Sequence, residues 1–475
     1  MFRNFRKTII SVLLILSLAG SFSGNVLASQ GQDLSWEEKA QLRMDGIIQS
    51  NLMEDWPEGP KVPAEAAIVL ECDTGTILYA KNIHEELFPA STTKLLTCLI
   101  AVEEGDLSDT VYFSKEAVEA VPSDGSNIGI SAGEYMSLEE CLYGIMVGSA
   151  NEAANAVAEY VSGSIEAFAE KMNERAEELG CMHSHFVNPN GLHDDYHYTS
   201  AYDLALIGRA FFENEYLSGV GGTARYHFEP TEGQPDDFWL KNKHKLKNGD
   251  IKYPGVIGGK TGYTSLARET LVTCAERDGM RLICVVLYDE SPSQFTDTVT
   301  LFDYGFDNFS RVKAADKLPV MDTEGSIFSF GINTGAERLL EYDRDSTLVI
   351  PSEGNFELIS KNIDFTKNDS WPEGAVALVT FSYSGTEVGK AYLRMRDDIQ
   401  LTGKIRSISG PVPEAAVQEE TEADPPPVIT INVRTVVIII AAGALSLILF
   451  TILVESLFSS NLLENARRRA KRRRR

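Results

Sequence analysis

The sequence predicts an α+β protein in which one antiparallel sheet takes its strands from both ends of a domain and surrounds a helical middle. Alternating apolar runs over residues 66–71 and 76–80 flank an Asp-Thr-Gly turn and indicate a hairpin. Helical periodicity follows over residues 93–213. Strand patterns return over residues 270–276 and 281–288 on either side of an Asp-Gly pair. We therefore expect helices packed against a sheet built from the first and last strands.

Capping residues mark the helix boundaries inside the middle block. Ser137 with Glu140 forms a capping-box pattern ahead of an apolar helix over residues 138–147. Another helix is expected to begin near Ser164 and to end at Gly180. These signals predict several separate helices and not one long helix.

The chain divides into seven segments by composition and periodicity. In order, these are a signal peptide (1–28), a polar leader with one short helix (29–60), the α+β domain (61–309), a small β-rich domain (310–408), a Pro/Glu-rich linker (409–433), a transmembrane helix (434–455) and a basic tail (456–475).

Both ends of the chain indicate export and anchoring. Basic residues precede an apolar stretch, and small residues end it at Ala28, as in a secretory signal. The run from Val436 to Val454 has no charge and is 19 residues long, which is enough to span a bilayer. Eight basic residues in 467–475 follow it and favour a cytoplasmic tail. We expect one membrane span with the folded domains outside the cell.

The composition excludes some functions. The formal net charge of −26 is unsuited to nucleic-acid binding. An exported chain with six cysteines permits disulfides, but five of the six lie in apolar helical or strand-like runs, so buried free thiols are the default and no thiol nucleophile is indicated. Four histidines share no common zinc spacing, so we expect neither a metal nor a cofactor; they are His183, His185, His193 and His197.

Three short motifs describe one candidate active site. They are Ser91-Thr92-Thr93-Lys94, Ser149-Ala150-Asn151 and Lys260-Thr261-Gly262. A Ser-x-x-Lys at a helix start puts the lysine one turn from the serine, where an amine can act as base for the hydroxyl. A second copy, Ser310-x-x-Lys313, lies where the domain ends and lacks the buried helix. An ordinary helix N-cap is the structural alternative for Ser91.

The chain resembles the serine D-alanyl-D-alanine carboxypeptidases, the low-molecular-mass penicillin-binding proteins of peptidase family S11, over about residues 60 to 410. The resemblance rests on a set of motifs: Ala67-Ile68-Val69-Leu70, Asp73-Thr74-Gly75, Phe88-Pro89-Ala90-Ser91-Thr92-Thr93-Lys94, Gly148-Ser149-Ala150-Asn151-Glu152-Ala153-Ala154, Asn188-Pro189-Asn190-Gly191-Leu192, Lys260-Thr261-Gly262-Tyr263-Thr264 and Asp303-Tyr304-Gly305-Phe306. It implies a serine β-lactamase/transpeptidase-like sandwich. It also implies peptidoglycan stem peptides as substrates and β-lactam antibiotics as inhibitors.

The resemblance implies a role for each site residue. Ser91 is the acyl-ester nucleophile, and Lys94 is its general base. Ser149 relays the proton, and Lys260 acts electrostatically and in substrate binding. The remaining substrate-binding residues are Asn151, Thr261, Gly262 and Tyr263, with Gly262 expected to leave the strand edge bare for the ligand. No cofactor is implied.

One position departs from the family pattern. Many relatives have an arginine eleven residues before the glycine of the Tyr-Gly-Phe element, and Gln294 stands there instead. Recognition of the substrate carboxylate is then expected from Lys260, Thr261 and Arg268. Two alternatives stay open: a β-lactamase-like hydrolase, although no Glu-x-x-Leu-Asn lies between the second and third motifs, and a non-catalytic wall-binding protein.

Overall fold

A computed structural model describes residues 34–320, 340–366 and 371–396. Its helices are α1 (Trp36–Met44), α2 (Lys94–Glu104), α3 (Lys115–Glu119), α4 (Leu138–Tyr143), α5 (Asn151–Ser162), α6 (Ile165–Glu178), α7 (Ala201–Glu213), α8 (Glu215–Gly221), α9 (Lys245–Asn248), α10 (Ser293–Asn308) and α11 (Ala314–Lys317). Its strands are β1 (Ala66–Glu71), β2 (Ile77–Lys81), β3 (Thr110–Tyr112), β4 (Tyr135–Ser137), β5 (Arg225–Phe228), β6 (Phe238–Lys241), β7 (Val256–Thr264), β8 (Arg268–Arg277), β9 (Met280–Asp289), β10 (Phe309–Lys313), β11 (Leu340–Tyr342), β12 (Thr347–Pro351), β13 (Ile359–Asp364), β14 (Ala375–Tyr383) and β15 (Thr386–Met395).

A five-stranded antiparallel sheet in the order β2-β1-β9-β8-β7 forms the centre of the fold. The chain enters through the β1–β2 hairpin and passes through the helices before it returns as β7, β8 and β9. Strand β1 pairs with β9, so the two ends of the domain meet in the middle of the sheet. The α+β prediction is therefore confirmed, as are the two predicted strand pairs.

Both faces of the central sheet are buried. Successive side chains along a strand point to opposite faces, so one strand contributes to two cores. In β1, Ile68 and Leu70 face the core that contains the main helices. Ala67 and Val69 face a second core. Helix α7 packs against β9 on the first face, and α10 packs on the second. The sheet is thus the middle layer of three.

The helix predicted over residues 138–147 changes character after one and a half turns. Its capping box is present, with Ser137 and Glu140 bonded reciprocally. The chain then widens into a π-helical turn over Gly144–Gly148 and ends at Ser149, whose φ of 63° is left-handed. A Cβ on Gly144 or Gly148 would lie 2.8 or 2.6 Å from the Ile128 side chain. The tight packing here explains both glycines.

The C-terminal part of the described chain forms a second sheet in the order β11-β15-β14-β13, next to the β10–β12 pair. Trp56 connects it to the rest of the fold. The Trp56 ring centroid lies 5.0 Å from that of Phe309 and 6.3 Å from that of Tyr383. One continuous apolar core therefore joins the leader, the central sheet and the β-rich part.

The leader is held by hydrogen bonds to strand β2 and within the segment that precedes β1. Arg43 Nε donates to Pro63 O at 2.7 Å. The Ser50 hydroxyl accepts the Ala80 N–H at 3.2 Å, and Asn51 Oδ1 accepts the Gly59 N–H at 2.7 Å. The short leader helix that the sequence predicts is α1, capped by Ser35.

All six cysteines are buried free thiols, as predicted. Among the described residues no helix has both the length and the apolar character needed to cross a membrane. The predicted signal peptide, linker, transmembrane helix and basic tail lie outside the described residues.

Replacing Trp56 by alanine should destabilise the protein by about 3–5 kcal/mol, the usual cost of truncating a buried tryptophan. The change also removes the indole N–H bond to Leu78 O at 2.9 Å. Urea unfolding followed by circular dichroism measures the effect. Trp36→Ala is the control, because Trp36 is 56% exposed on α1 and should change little. Equal effects of both substitutions would contradict the shared core.

Candidate active site

The eight residues singled out in the sequence come together at one cleft of about 700 Å³ between the helical layer and the edge strand β7. Six of them line it, namely Ser91, Ser149, Asn151, Thr261, Gly262 and Tyr263. Lys94 and Lys260 are buried behind this lining and reach it through hydrogen bonds.

Ser91 lies in a 3₁₀ turn, Ala90–Thr93, that runs directly into α2. Ala90 has a φ of 49°, which is strained for a residue with a side chain. The carbonyl of Ala90 packs against Gly191, where a Cβ would lie only 1.8 Å from the oxygen. Gly191 is therefore required for the close approach that holds the serine turn. The Ser91 hydroxyl contacts Lys94 and Asn190 O and caps no helix.

The Lys94 side-chain nitrogen has three neighbours. It lies 3.0 Å from Ser91 Oγ, 2.6 Å from Asn151 Oδ1 and 2.5 Å from Asn190 O. The two asparagine oxygens can only accept hydrogen bonds. A neutral amine has two N–H groups and one lone pair. With both N–H groups donated to these oxygens, the lone pair is directed at the Ser91 hydroxyl.

Burial lowers the pKa of Lys94 well below its ordinary value, and the positive charges of Lys260 and Lys243 lower it further. Lys260 is also fully enclosed, and burial followed by the charge of Lys243 lowers its pKa to about 7. Glu152 opposes the shift of Lys94. The site therefore favours a neutral Lys94 that can accept a proton.

Ser149 and Lys260 form the second contact of the site. Lys260 Nζ donates to Ser149 Oγ at 3.0 Å and to Thr261 O at 2.8 Å. The Ser149 hydroxyl does not cap α5, because Ala150 occupies the N-cap position and no side chain bonds there. The hydroxyl is free to exchange a proton with a group in the cleft.

Strand β7 is an edge strand, as expected, but Gly262 has a different reason to be glycine. A Cβ there would lie 2.4 Å from Thr270 Oγ1 and 2.8 Å from the Ser91 nitrogen. Protein atoms, and not the ligand, fill the space beside Gly262. Its bare backbone lets the strand approach the serine turn, which brings the N–H of Ser91 next to the Gly262–Tyr263 segment.

Three further residues belong to the site, although the sequence predicted no role in it for them. Lys243 lines the cleft, donates to Ser126 Oγ at 2.8 Å and lowers the pKa of both site lysines. Asn190 supplies a backbone oxygen to Lys94. Burial lowers the pKa of His197 to about 3, so its neutral ring bridges Thr93 Oγ1 and the Val187 N–H.

Two residues considered for the substrate carboxylate occupy different places. Gln294 lies in the first turn of α10 and lines the cleft. Arg268 instead pairs with Glu290, at 2.9 Å from Nε to Oε1, and stands above the Tyr263 ring. Arg268 is therefore engaged by Glu290 and is not among the residues that line the cleft.

A sequence profile of the family described as D-alanyl-D-alanine carboxypeptidase matches residues 53–291. The chain belongs to this family. It is 33% identical over 348 residues to D-alanyl-D-alanine carboxypeptidase DacF of Bacillus subtilis, an alignment that covers 71% of this chain and 84% of the relative. It is also 33% identical to DacB2 of Mycobacterium tuberculosis, over 52% of this chain and 84% of the relative. The protein is thus a serine-type D-Ala-D-Ala carboxypeptidase.

Two solved structures share the fold. Penicillin binding protein 5 from Haemophilus influenzae superposes with a TM-score of 0.56 at 23% identity, covering 71% of this chain and 98% of that one. A point mutant of the Streptomyces K15 DD-transpeptidase gives a TM-score of 0.50 at 28% identity, over 52% of this chain and 99% of that one. The transpeptidase-like fold expected from the resemblance is confirmed.

Gly262→Ala should slow acylation of the enzyme about 100-fold, because a strand displaced by roughly 1 Å misaligns the serine turn. Covalent labelling by a fluorescent penicillin measures the rate. Gly219→Ala is the matched control, since nothing lies within 4 Å of a Cβ at Gly219 and its helix tolerates alanine. If the Gly262→Ala variant were labelled at the wild-type rate, the close contact between Gly262 and Ser91 would not be needed for acylation.

Lys260→Met should move the acid limb of the acylation pH profile to higher pH. The positive charge of Lys260 lowers the pKa of Lys94. Without that charge the pKa of Lys94 rises, so a higher pH is needed to form the active neutral amine. Labelling rates measured across the pH range give the profile. Lys252→Met, at an exposed lysine outside the cleft, should leave the limb in place. An unshifted limb in Lys260→Met would rule out this coupling.

Proposed function

We propose that this protein is a membrane-anchored D,D-carboxypeptidase that removes the terminal D-alanine from peptidoglycan stem pentapeptides through an acyl-enzyme on Ser91, and that penicillins inhibit it. The observation that supports this most directly is the environment of Lys94. Its two N–H groups have carbonyl acceptors, and its lone pair faces a serine hydroxyl 3.0 Å away.

In the first step, Lys94 takes the proton of the Ser91 hydroxyl while Oγ attacks the carbonyl between the two D-alanines. Negative charge develops on the carbonyl oxygen. The backbone N–H groups of Ser91 and Tyr263 stabilise it as an oxyanion hole. A substrate that pairs with the open edge of β7 presents its carbonyl to both groups.

In the second step, the leaving D-alanine needs a proton on its nitrogen. Ser149 delivers it and receives in exchange the proton that Lys94 took from Ser91, while Lys260, at 3.0 Å from Ser149 Oγ, stabilises that oxygen during the exchange. Lys94 is then neutral again. Asn151 both fixes Lys94 and offers its amide to the substrate. Water then occupies the space vacated by D-alanine. Neutral Lys94 takes a proton from it as its oxygen attacks the ester, and returns that proton to Ser91 Oγ as the ester bond breaks.

The same chemistry predicts inhibition by penicillin. The β-lactam amide is cleaved in the same way, but its leaving nitrogen stays tethered to the acyl group and blocks the approach of water. The predicted signal peptide and the uncharged run at 436–454 support an extracytoplasmic enzyme held by one C-terminal span.

Penicillin should form a long-lived adduct on Ser91, detected as a mass increase of the intact protein and located by peptide mapping. Ser91→Ala should abolish the adduct. Ser310→Ala is the matched control. Ser310 belongs to the second Ser-x-x-Lys, but it lies on strand β10 and its hydroxyl bonds the Ser352 hydroxyl. The same protein should release D-alanine from a peptide ending in D-Ala-D-Ala.

Rapid turnover of penicillin without an adduct would favour a β-lactamase. A protein that shows no penicillin adduct and releases no D-alanine would favour the non-catalytic wall-binding alternative. An adduct on any residue other than Ser91 would contradict the assignment of the nucleophile.

A further inference from the structure

The hairpin turn between β7 and β8 is strained at Arg268. Thr264 and Arg268 are the last pair of this ladder, so three residues join the strands, and the Thr264 hydroxyl oxygen accepts the Ala267 N–H at 2.9 Å. A hairpin loop of this length commonly closes on a left-handed residue, a position that favours glycine. Here Arg268 has a φ of 55°. Such a conformation persists only when surrounding contacts hold it, so the contacts of the Arg268 side chain are informative.

The Arg268 guanidinium makes two contacts. It binds the Glu290 carboxylate in a bidentate way, with Nε 2.9 Å from Oε1 and Nη2 2.5 Å from Oε2. The Glu290 side chain is only 19% exposed. The guanidinium also lies over the Tyr263 ring, 5.9 Å from its centroid. A bidentate, partly buried ion pair fixes the relative position of its partners, which a single exposed ion pair does not.

This ion pair joins two turns at the point where the sheet no longer does. Pairing between β8 and β9 ends at Glu269 and Asp289, and an irregularity between Glu269 and Leu271 interrupts it just before that. Arg268 and Glu290 are the next residues outward. Their side chains therefore continue the connection where the backbone ladder stops, and they tie the β7–β8 turn to the segment that leads into α10.

Both of the tied segments line the cleft. Residues 263–265 line it from the β7–β8 turn, and Ser291, Gln294 and Phe295 line it from the start of α10. The two members of the ion pair are not among the lining residues and lie behind them. Thr261, from which recognition of the substrate carboxylate is expected, lines the same end of the cleft. The residue that follows the scissile bond is therefore enclosed by the two tied segments.

We propose that Arg268 and Glu290 form a clamp that fixes the width of this end of the cleft, so that a residue as small as D-alanine fits after the scissile bond and a larger one does not. They are positioning residues for specificity, because they act through the residues that line the cleft and do not bind the substrate. This inference rests on the proposed carboxypeptidase function, in which the departing residue is D-alanine.

Two peptides test the clamp. They are identical up to the penultimate D-alanine and end in D-alanine or in D-leucine, each with a free carboxylate. The wild-type enzyme should have the higher kcat/KM for the D-alanine peptide. In Arg268→Gly this preference should fall at least about 10-fold, the lower end of the discrimination that one methylene group gives in a fitted pocket. Glycine adopts a φ of 55° without strain, so the variant retains the fold.

Glu290→Ala should lower the preference in the same direction. Arg268→Gly removes a positive charge and Glu290→Ala a negative one, so a direct electrostatic effect on the substrate would have opposite signs in the two variants. Arg277→Met is the matched control and should keep the wild-type preference. Arg277 is also on β8, lies 3.4 Å from an Asp303 oxygen and stands over the Tyr253 ring, but outside the cleft.

An unchanged preference in Arg268→Gly or in Glu290→Ala, changes of opposite sign in the two, or an equal fall in Arg277→Met would overturn the clamp. A wild-type enzyme that cleaves both peptides equally well would also overturn it. Penicillin labelling of Ser91 in each variant shows that the nucleophile is intact. A wild-type enzyme that cleaves neither peptide would instead overturn the proposed function, so the two failures are distinguishable.

Discussion

The hydrogen bonds of the Lys94 nitrogen are the constraint on which the site depends, because they require three separate parts of the chain to meet. Asn151 begins α5, and Asn190 belongs to the loop before α7. Asn190 is itself held by Asn155, which accepts from its amide at 2.7 Å. Ser91 precedes α2. A shift of any one element would leave a buried N–H or lone pair unmatched, which is costly in an apolar interior.

Most elements could be predicted because their signals are local. The β1–β2 hairpin follows from alternation and a turn, and α4 follows from the capping box at Ser137. The π-helical turn at Gly144–Gly148 and the β5–β6 hairpin were not predicted. The turn depends on contacts with Ile128, which is distant in sequence, and the hairpin strands are only four residues long. Tertiary packing decides both.

The candidate site shows the same division. Side chains in the three motifs could be named from the sequence, because the chemistry needs those residue types at that spacing. Asn190 belongs to a motif of the family resemblance, but no role was predicted for it, because the contact of its backbone oxygen with Lys94 is formed only in the folded chain. Lys243 lies in a lysine-rich run, and only the fold shows that it faces the cleft while Lys241 pairs with Asp250. Gly262 was identified, but its contact with the serine turn required coordinates.

The leader has a consequence for any shortened form of this enzyme. The match to the family profile begins at residue 53, yet residues before it bond to strand β2 through Ser50 and to the segment before β1 through Arg43 and Asn51. A recombinant protein that starts where the similarity starts would leave the Ala80 and Gly59 N–H groups without their partners and expose the edge of β2. The folded unit therefore begins before the residues that match the family profile, so a recombinant protein should start before α1.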